Sequence, residues 1–254
     1  MKLARLTPLA GLLLAWQAVC SLGLAAPYLL PSPLAILAGL KELALAGMPP
    51  GRLLHLHAAH SLLRVAWGFA AALVLALPLG LLMGYAPRLH AALRPMVELV
   101  RPVPPLAWIP ISILWFGIGT SSAAFIIFLG AFFPILLNTV AGVTSVNAIL
   151  LEAARTLGAG RRDILLKVLL PGAAPAMFVG LRIGVGIGWM TLLAAEFAGV
   201  RSGYGLGHMI MTARDIQRPD LIMAGMAVIG ALGLLIDAGL RRLERRLLPW
   251  SQGS

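Results

Sequence analysis

The sequence predicts an all-α polytopic membrane protein with six transmembrane helices. Of its 254 residues, 60% are hydrophobic and only 11% are charged, whereas a soluble domain carries about 25% charged residues. The charges also leave long gaps, and the stretch between Arg101 and Glu152 contains no Asp, Glu, Lys or Arg. Because a helix that crosses a bilayer needs about 20 mostly apolar residues, these gaps are long enough for several crossings.

The basic excess of the chain predicts contact with membrane lipid rather than with nucleic acid. The formal net charge is +11, which in a soluble protein would suggest nucleic-acid binding. Here the basic residues stand at the ends of apolar stretches, where they orient helices and meet anionic headgroups. The single cysteine, Cys20, excludes an intrachain disulfide.

The spans are placed by the apolar stretches and by the turns between them. The uncharged stretch from Pro102 to Leu151 is 50 residues long, too long for one crossing, and the turn-forming run 117–122 divides it into two spans. The first of these contains three prolines, so we expect it to be bent or partly irregular where protein surrounds it. The predicted spans cover residues 8–26, 61–84, 103–118, 122–140, 175–198 and 221–240.

The distribution of basic residues predicts that both termini lie in the cytoplasm. Lys2 and Arg5 precede the first apolar run, which at about 19 residues exceeds the roughly 7–15 of a signal-peptide core, so an uncleaved span is favoured over a secretory signal. With Arg182 left out because it lies inside the fifth span, 13 basic residues fall on the side of the termini and 6 on the other. The positive-inside rule therefore places the termini inside.

The loop 142–174, between the fourth and fifth spans, is more polar than the spans that flank it. Apolar residues recur at helical spacing over 150–157, and the turn Gly158–Gly160 then breaks that helix. A second helix is expected to follow. Asp163 favours its start, and Pro171 is expected to mark its end. The loop therefore predicts a helix, a glycine turn and a second helix against one face of the membrane.

This loop resembles the signature loop of ABC importer permeases. In that family Glu-Ala-Ala is followed after three residues by Gly, and after nine more by an aliphatic residue, any residue and Leu-Pro. Val168 stands where the pattern usually has Ile, a minor departure. The resemblance implies that residues 152–171 include a coupling helix, which docks into a groove on a separate cytoplasmic ATPase. The matching residues are Glu152, Ala153, Ala154, Gly158, Val168, Leu170 and Pro171.

Further motifs extend the resemblance over nearly the whole chain, to the nitrate, sulfonate and taurine branch of the family. The run 101–108, Arg-Pro-Val-Pro-Pro-Leu-Ala-Trp, is most like taurine permeases. The resemblance implies a type I ABC importer permease fold in a single domain, residues 1–254. It also implies a small oxyanion as solute, taurine or another sulfonate first, with nitrate and bicarbonate as alternatives. The other matching runs are 61–68, 114–119, 195–196 and 203–207.

The same resemblance implies the partners of the chain in the bacterial inner membrane. Two cytoplasmic ABC ATPase subunits would bind the ATP and Mg, so this chain would be no enzyme and would hold no cofactor. The chain indeed has no Gly-x-x-x-x-Gly-Lys-Ser/Thr phosphate loop. A periplasmic or lipid-anchored substrate-binding protein would deliver the solute. Because six spans form half of the usual pore, a second permease copy is expected, as a homodimer or a close paralogue.

Three other function classes fit the sequence less well. A DNA-binding helix–turn–helix resembles the loop superficially, but the two flanking spans make access to a DNA groove difficult. A secondary transporter driven by an ion gradient usually carries carboxylates deep in the membrane, and the only candidate, Glu196, is shallow. An intramembrane enzyme would need a Ser/His pair or paired carboxylates at one depth, which the pattern does not offer.

Two ionisable residues, Arg182 and Glu196, fall inside the fifth predicted span. Fourteen residues apart, they would project from one helix face about 21 Å apart along the axis. One interpretation is that this face lines the translocation path, with Arg182 attracting an anion. The other is that both side chains reach out to the membrane interfaces.

Glycines and histidines complete the candidate features. Gly180, Gly184 and Gly188 have the four-residue spacing that lets helices approach closely, either within the subunit or across a homodimer. The histidines at 55, 57 and 60 do not share one helical face, so we do not expect them to bind a metal. The run Gly203–Gly207 is expected to form a tight turn outside the membrane, where it could touch the delivery protein.

Overall fold

The computed structural model describes residues 7–197 and 203–250, and these ranges contain helices and no strand. Short non-α segments join some of the helices: a 3₁₀ turn at Pro105–Trp108 and a π-helical segment at Ile164–Leu169. In chain order the helices are α1 (Thr7–Ser21), α2 (Pro33–Leu45), α3 (Leu54–Tyr85), α4 (Pro87–Val100), α5 (Ile109–Phe116), α6 (Thr120–Thr144), α7 (Ala148–Thr156), α8 (Arg161–Asp163), α9 (Leu170–Phe197), α10 (Leu206–Asp215) and α11 (Pro219–Leu247).

The chain divides into two compact units. Unit 1 consists of Met1–Leu62 and Gly199–Leu232, and unit 2 of Leu63–Ala198 and Gly233–Ser254. The second unit contains α6 and α9 together with the polar loop between them. One permease domain over residues 1–254 stays a prediction.

The predicted count of six spans is not confirmed. Within the described residues, four helices are long and apolar enough to cross a bilayer: α3, α6, the continuous helix Arg161–Phe197, and α11. A fifth span is formed if α4 and the segment Pro105–Phe116, which meet at 81°, are one broken crossing. Within the described residues, the first predicted span contains α1, which ends at Ser21, before the predicted end of the span at residue 26. Lys2, Arg5 and Arg201, which entered the orientation argument, lie outside the described residues.

The expected irregularity of the third span is found at its prolines. Pro104 and Pro105 lie in the break after α4, as does Pro102 just before the predicted span, and none of these has an N–H to continue a helical ladder. The third proline of the span, Pro110, lies in the first turn of α5. The chain bends by 81° across this break before α5 begins.

Helix α6 forms the core of unit 2. Of its 25 residues 13 are buried, against 4 of the 29 residues of α11. Glycines of α3 and α9 bring the three helices close together. A methyl group added at Gly84 of α3 would come within 2.5 Å of the Val143 Cβ, and one added at Gly180 of α9 within 2.7 Å of the Asn138 Cβ. Side chains at these positions would therefore separate the helices.

The expected helix end at Pro171 is wrong, because the helix that begins at Arg161 continues to Phe197. A proline inside an α-helix clashes with the carbonyl four residues before it. Here the π-helical segment widens the helix just before Pro171, and the Leu170 N–H donates to the Leu165 carbonyl, five residues back. The wider turn admits the proline without ending the helix.

Candidate functional site

The turn after α7 is built by a glycine in the left-handed conformation. At the start of α7, the Asn147 side chain accepts a hydrogen bond from the Ile149 N–H at 2.9 Å. At its end Gly158 has φ +80°, and the N–H groups of Gly158 and Ala159 donate to the carbonyls of Arg155 and Ala154. These two bonds form a Schellman motif, which satisfies the last carbonyls of the helix. The predicted break at Gly158–Gly160 is thus confirmed.

The base of this helix–turn–helix is packed into unit 2. Ile164 and Leu169 are buried together with Val143 at the end of α6, and Leu151 and Ala154 of α7 pack against this cluster. The segment is therefore joined to both α6 and α9, so a displacement of α7 would be transmitted to both helices.

The opposite side of α7 is apolar and exposed. The side chains of Ile149, Leu150 and Leu157 are 70%, 56% and 88% exposed, and Glu152 and Ala153 are exposed beside them. The remaining signature residues lie further along, where Val168, Leu170 and Pro171 are half-buried in the continuous helix. Helix α7 therefore presents exposed apolar side chains next to the exposed Glu152.

The structure gives Arg182 two carboxylate neighbours. Its guanidinium lies 3.6 Å from Asp237 and 3.6 Å from Glu244, both on α11, and Asp237 also pairs with Arg241. Arg182 is about one-third exposed. Its charge is therefore balanced by α11, a role that sequence reasoning did not foresee.

Glu196 is buried in an ion pair with Arg64. The Arg64 Nη1 donates to the Glu196 Oε1 at 2.5 Å, and both side chains are at most 1% exposed. Arg64 is one of the six basic residues that the orientation argument placed on the outer side, whereas the structure buries it within α3. A carboxylate in an apolar span usually pairs with a cation, so Glu196 itself was the signal that could have identified Arg64.

The run Gly203–Gly207 packs against the start of α3 in unit 1. The Gly205 N–H donates to Nδ1 of His57 at 3.1 Å, and the Leu206 N–H donates to the Ser61 hydroxyl oxygen at 2.9 Å. Gly205 has φ +146°, which favours glycine. Leu206 and Gly207 already belong to α10, so the run leads into a helix and does not form the predicted tight turn over 203–207. His57 is fully buried, and His60 stacks on Tyr204 with ring centroids 4.8 Å apart.

A second polar cluster in unit 1 surrounds Arg218. Its guanidinium donates to Glu42 of α2 at 2.7 Å and to Asp220 at the start of α11 at 2.8 Å. These two carboxylates raise the pKa of Arg218 above its ordinary value. The cluster therefore fixes the end of α2 against the beginning of α11.

A cavity of about 610 Å³ opens in unit 2 beside the break between α4 and α5. Its walls come from that break, from α6 and from α9, and include the aromatic side chains of Trp108 and Phe133. The polar residues that line it are Arg101, which is exposed, and Asn138. Sequence reasoning treated Arg101 as an orienting residue at a span end and did not single out Asn138.

The chain is similar to known transport proteins over most of its length. A family model described as "binding-protein-dependent transport system inner membrane component" matches residues 76–249. The taurine transport system permease protein TauC of Escherichia coli K12 is 43% identical over 95% of this chain and 87% of its own. The bicarbonate transport system permease protein CmpB of Synechococcus elongatus is 36% identical over 96% of this chain and 89% of its own.

The fold has a counterpart among solved structures. An inward-facing structure of the MetNI methionine ABC transporter matches with a TM-score of 0.65 and 23% identity, over 74% of this chain and 93% of that one. Family membership implies ATPase and substrate-binding partners in general, and a multi-pass location in the inner membrane. The chain belongs to the binding-protein-dependent inner membrane components, as the transmembrane permease subunit of an ABC transporter and not an enzyme.

Proposed function

We propose that this permease serves an ATP-driven importer of a small oxyanion, with taurine or another sulfonate as the first candidate. The similarity to a permease named for taurine, along nearly the whole chain, supports this choice. The relative named for bicarbonate is somewhat less similar, so bicarbonate is the second candidate, followed by nitrate.

The proposed mechanism rests on the two sides of α7. One side is apolar and exposed, and the other packs against the buried cluster of Val143, Ile164 and Leu169. We assign the docking of a cytoplasmic ATPase to the exposed side of the segment 152–171, where Glu152, Ala153 and Leu157 are exposed. Burial of Leu157 alone against a partner would contribute about 1.5–3 kcal/mol.

The proposed cycle couples ATP use to the spans through that segment. A substrate-binding protein delivers the anion on the outer side, and ATP with Mg binds in two partner ATPases. Their closure displaces α7, and the buried residues Ile164 and Leu169 transmit the movement to α6 and α9. Two permease copies, proposed to be identical and to have cytoplasmic termini, would enclose the path between them.

The path role of Arg182 and Glu196 stays a prediction. Each side chain has a partner of opposite charge within unit 2, and such pairs can also serve only to hold helices together. A path role would show as a change in solute selectivity when either residue is replaced.

The coupling proposal is tested by two glycine substitutions in one turn. Valine at position 158 is strained by φ +80°, at a cost of more than about 1–2 kcal/mol, whereas position 160 has φ −70° and ψ 168°, which valine adopts readily. Neither added Cβ meets an atom closer than 3.9 Å. In the assembled transporter we expect Gly158→Val to lose stimulated ATP hydrolysis and Gly160→Val to retain it.

The ATP hydrolysis of the two variants is compared with a second measurement, the uptake of solute by the unmodified complex in liposomes. Full stimulation in Gly158→Val, with the complex intact, would contradict the coupling role of the turn. Uptake of labelled taurine, nitrate or bicarbonate that requires ATP supports the importer. Uptake without ATP or ATPase would instead indicate a secondary transporter.

A further inference from the structure

We propose that Arg101 and Asn138 form an anion-binding subsite in the cavity beside the α4–α5 break, and that this subsite receives the oxyanion group of the transported solute. The proposal deepens the proposed function and rests on it. It assigns the contact with the anion to residues other than Arg182, to which one of the two sequence interpretations gave that role.

Arg101 brings a positive charge to the lining of the cavity. Arg101 is the only charged residue among those that line the cavity, and no carboxylate in the described part of the chain lies within ion-pair distance of its guanidinium. Arg182, in contrast, lies between two carboxylates of α11. A positive charge without a local counter-ion, in a cleft with mostly apolar walls, concentrates a positive potential there.

The backbone between the end of α4 and Pro105 is irregular. Arg101 caps α4 with its N–H bonded to the Val97 carbonyl, and the 3₁₀ turn begins only at Pro105. Irregular backbone at membrane depth is tolerated where protein buries it or where it lines a water-filled cavity. Arg101, Val103 and Pro105 all line the cavity, so this irregular backbone and Arg101 border the same space.

Asn138 of α6 offers a second hydrogen-bond donor to the cavity. One of its amide N–H groups donates to the Pro134 carbonyl at 2.8 Å, and its Cβ lies against Gly180 of α9. The side chain is therefore held in place, and its other amide N–H has no acceptor among the described residues. An arginine fork and an amide N–H are suitable donors for the oxygens of a sulfonate, nitrate or bicarbonate.

The size of the cavity also fits a small solute. Its volume of about 610 Å³ lies within the roughly 300–1,000 Å³ typical of small-molecule sites. Such sites combine mostly apolar walls with a few placed polar groups, as Trp108 and Phe133 do here with Arg101 and Asn138.

The test uses the complete transporter with its ATPases and binding protein in liposomes, supplied in turn with labelled taurine, nitrate and bicarbonate. We expect Arg101→Gln to lower kcat/KM for uptake by roughly 10- to 100-fold, the effect of losing a charged hydrogen bond. Arg101→Lys should recover part of the loss, because it restores the charge without the fork. The matched control is Arg94→Gln, on the same helix but exposed and paired with Glu98, which should behave as the unmodified complex.

Two results would overturn the proposal in distinguishable ways. If Arg101→Gln transports as well as Arg94→Gln, the subsite is wrong while the importer stands. If the unmodified complex moves none of the three anions, the proposed function fails and the subsite with it. Should Arg101→Gln not assemble, Asn138→Asp replaces it. A carboxylate at that place should repel the anion and reduce uptake, and undiminished uptake would refute the subsite.

Discussion

The buried pair between Arg64 and Glu196 allows a quantitative test of what holds α3 against α9. Glu196→Gln removes the negative charge with little change in shape, so the Arg64 guanidinium, 1% exposed, loses the carboxylate with which it pairs. Breaking one side of a buried ion pair costs about 3–5 kcal/mol. Since 1 kcal/mol lowers the Tm of a chain of about this size by roughly 2–4 °C, we expect the Tm to fall by about 6 °C or more.

The assay is thermal unfolding of the purified complex in mild detergent, with two comparison variants. Replacing both partners, Arg64→Met with Glu196→Leu, should recover most of the loss, because an apolar pair of similar volume removes the uncompensated charge. Arg94→Gln removes one side of an exposed pair, 63% and 59% accessible, and should cost at most about 0.5 kcal/mol. A Glu196→Gln variant as stable as Arg94→Gln would refute the reasoning.

The remaining predictions concern helix packing and the start of α10, and both are read as thermal stability of the complex. Gly180→Ala should lower the Tm by several degrees, because the added Cβ would come within 2.7 Å of α6. The control Gly186→Ala, whose Cβ would meet no atom within 4 Å, should leave the Tm unchanged or raise it slightly. Equal effects of the two substitutions would contradict the packing described for α9. Ser61→Ala should lower the free energy of unfolding by about 1–3 kcal/mol, because it removes the acceptor of the buried Leu206 N–H at the start of α10. A decrease below about 0.5 kcal/mol would show that this hydrogen bond contributes little.

Local patterns predicted the four long apolar helices and the break after α7, but not α2, α4 or α10. The spacing of apolar residues and the glycine at 158 act within one or two helical turns, so the break after α7 follows from the sequence. The proline-rich run after Arg101 predicted the irregular span for the same reason. At Pro171 the local rule failed, because the π-helical segment before it removes the expected clash.

The sequence by itself determined the membrane class, the family resemblance and the polar loop, because composition, charge gaps and short motifs are properties of the chain alone. Only the tertiary structure decided the partners of the charged residues. Arg64 meets Glu196 across 132 positions of sequence, Arg182 meets two carboxylates of α11, and Arg101 faces a cavity instead. In a membrane the free energy of a charge depends on which group faces it across the helix interface, and that is set by how the helices pack.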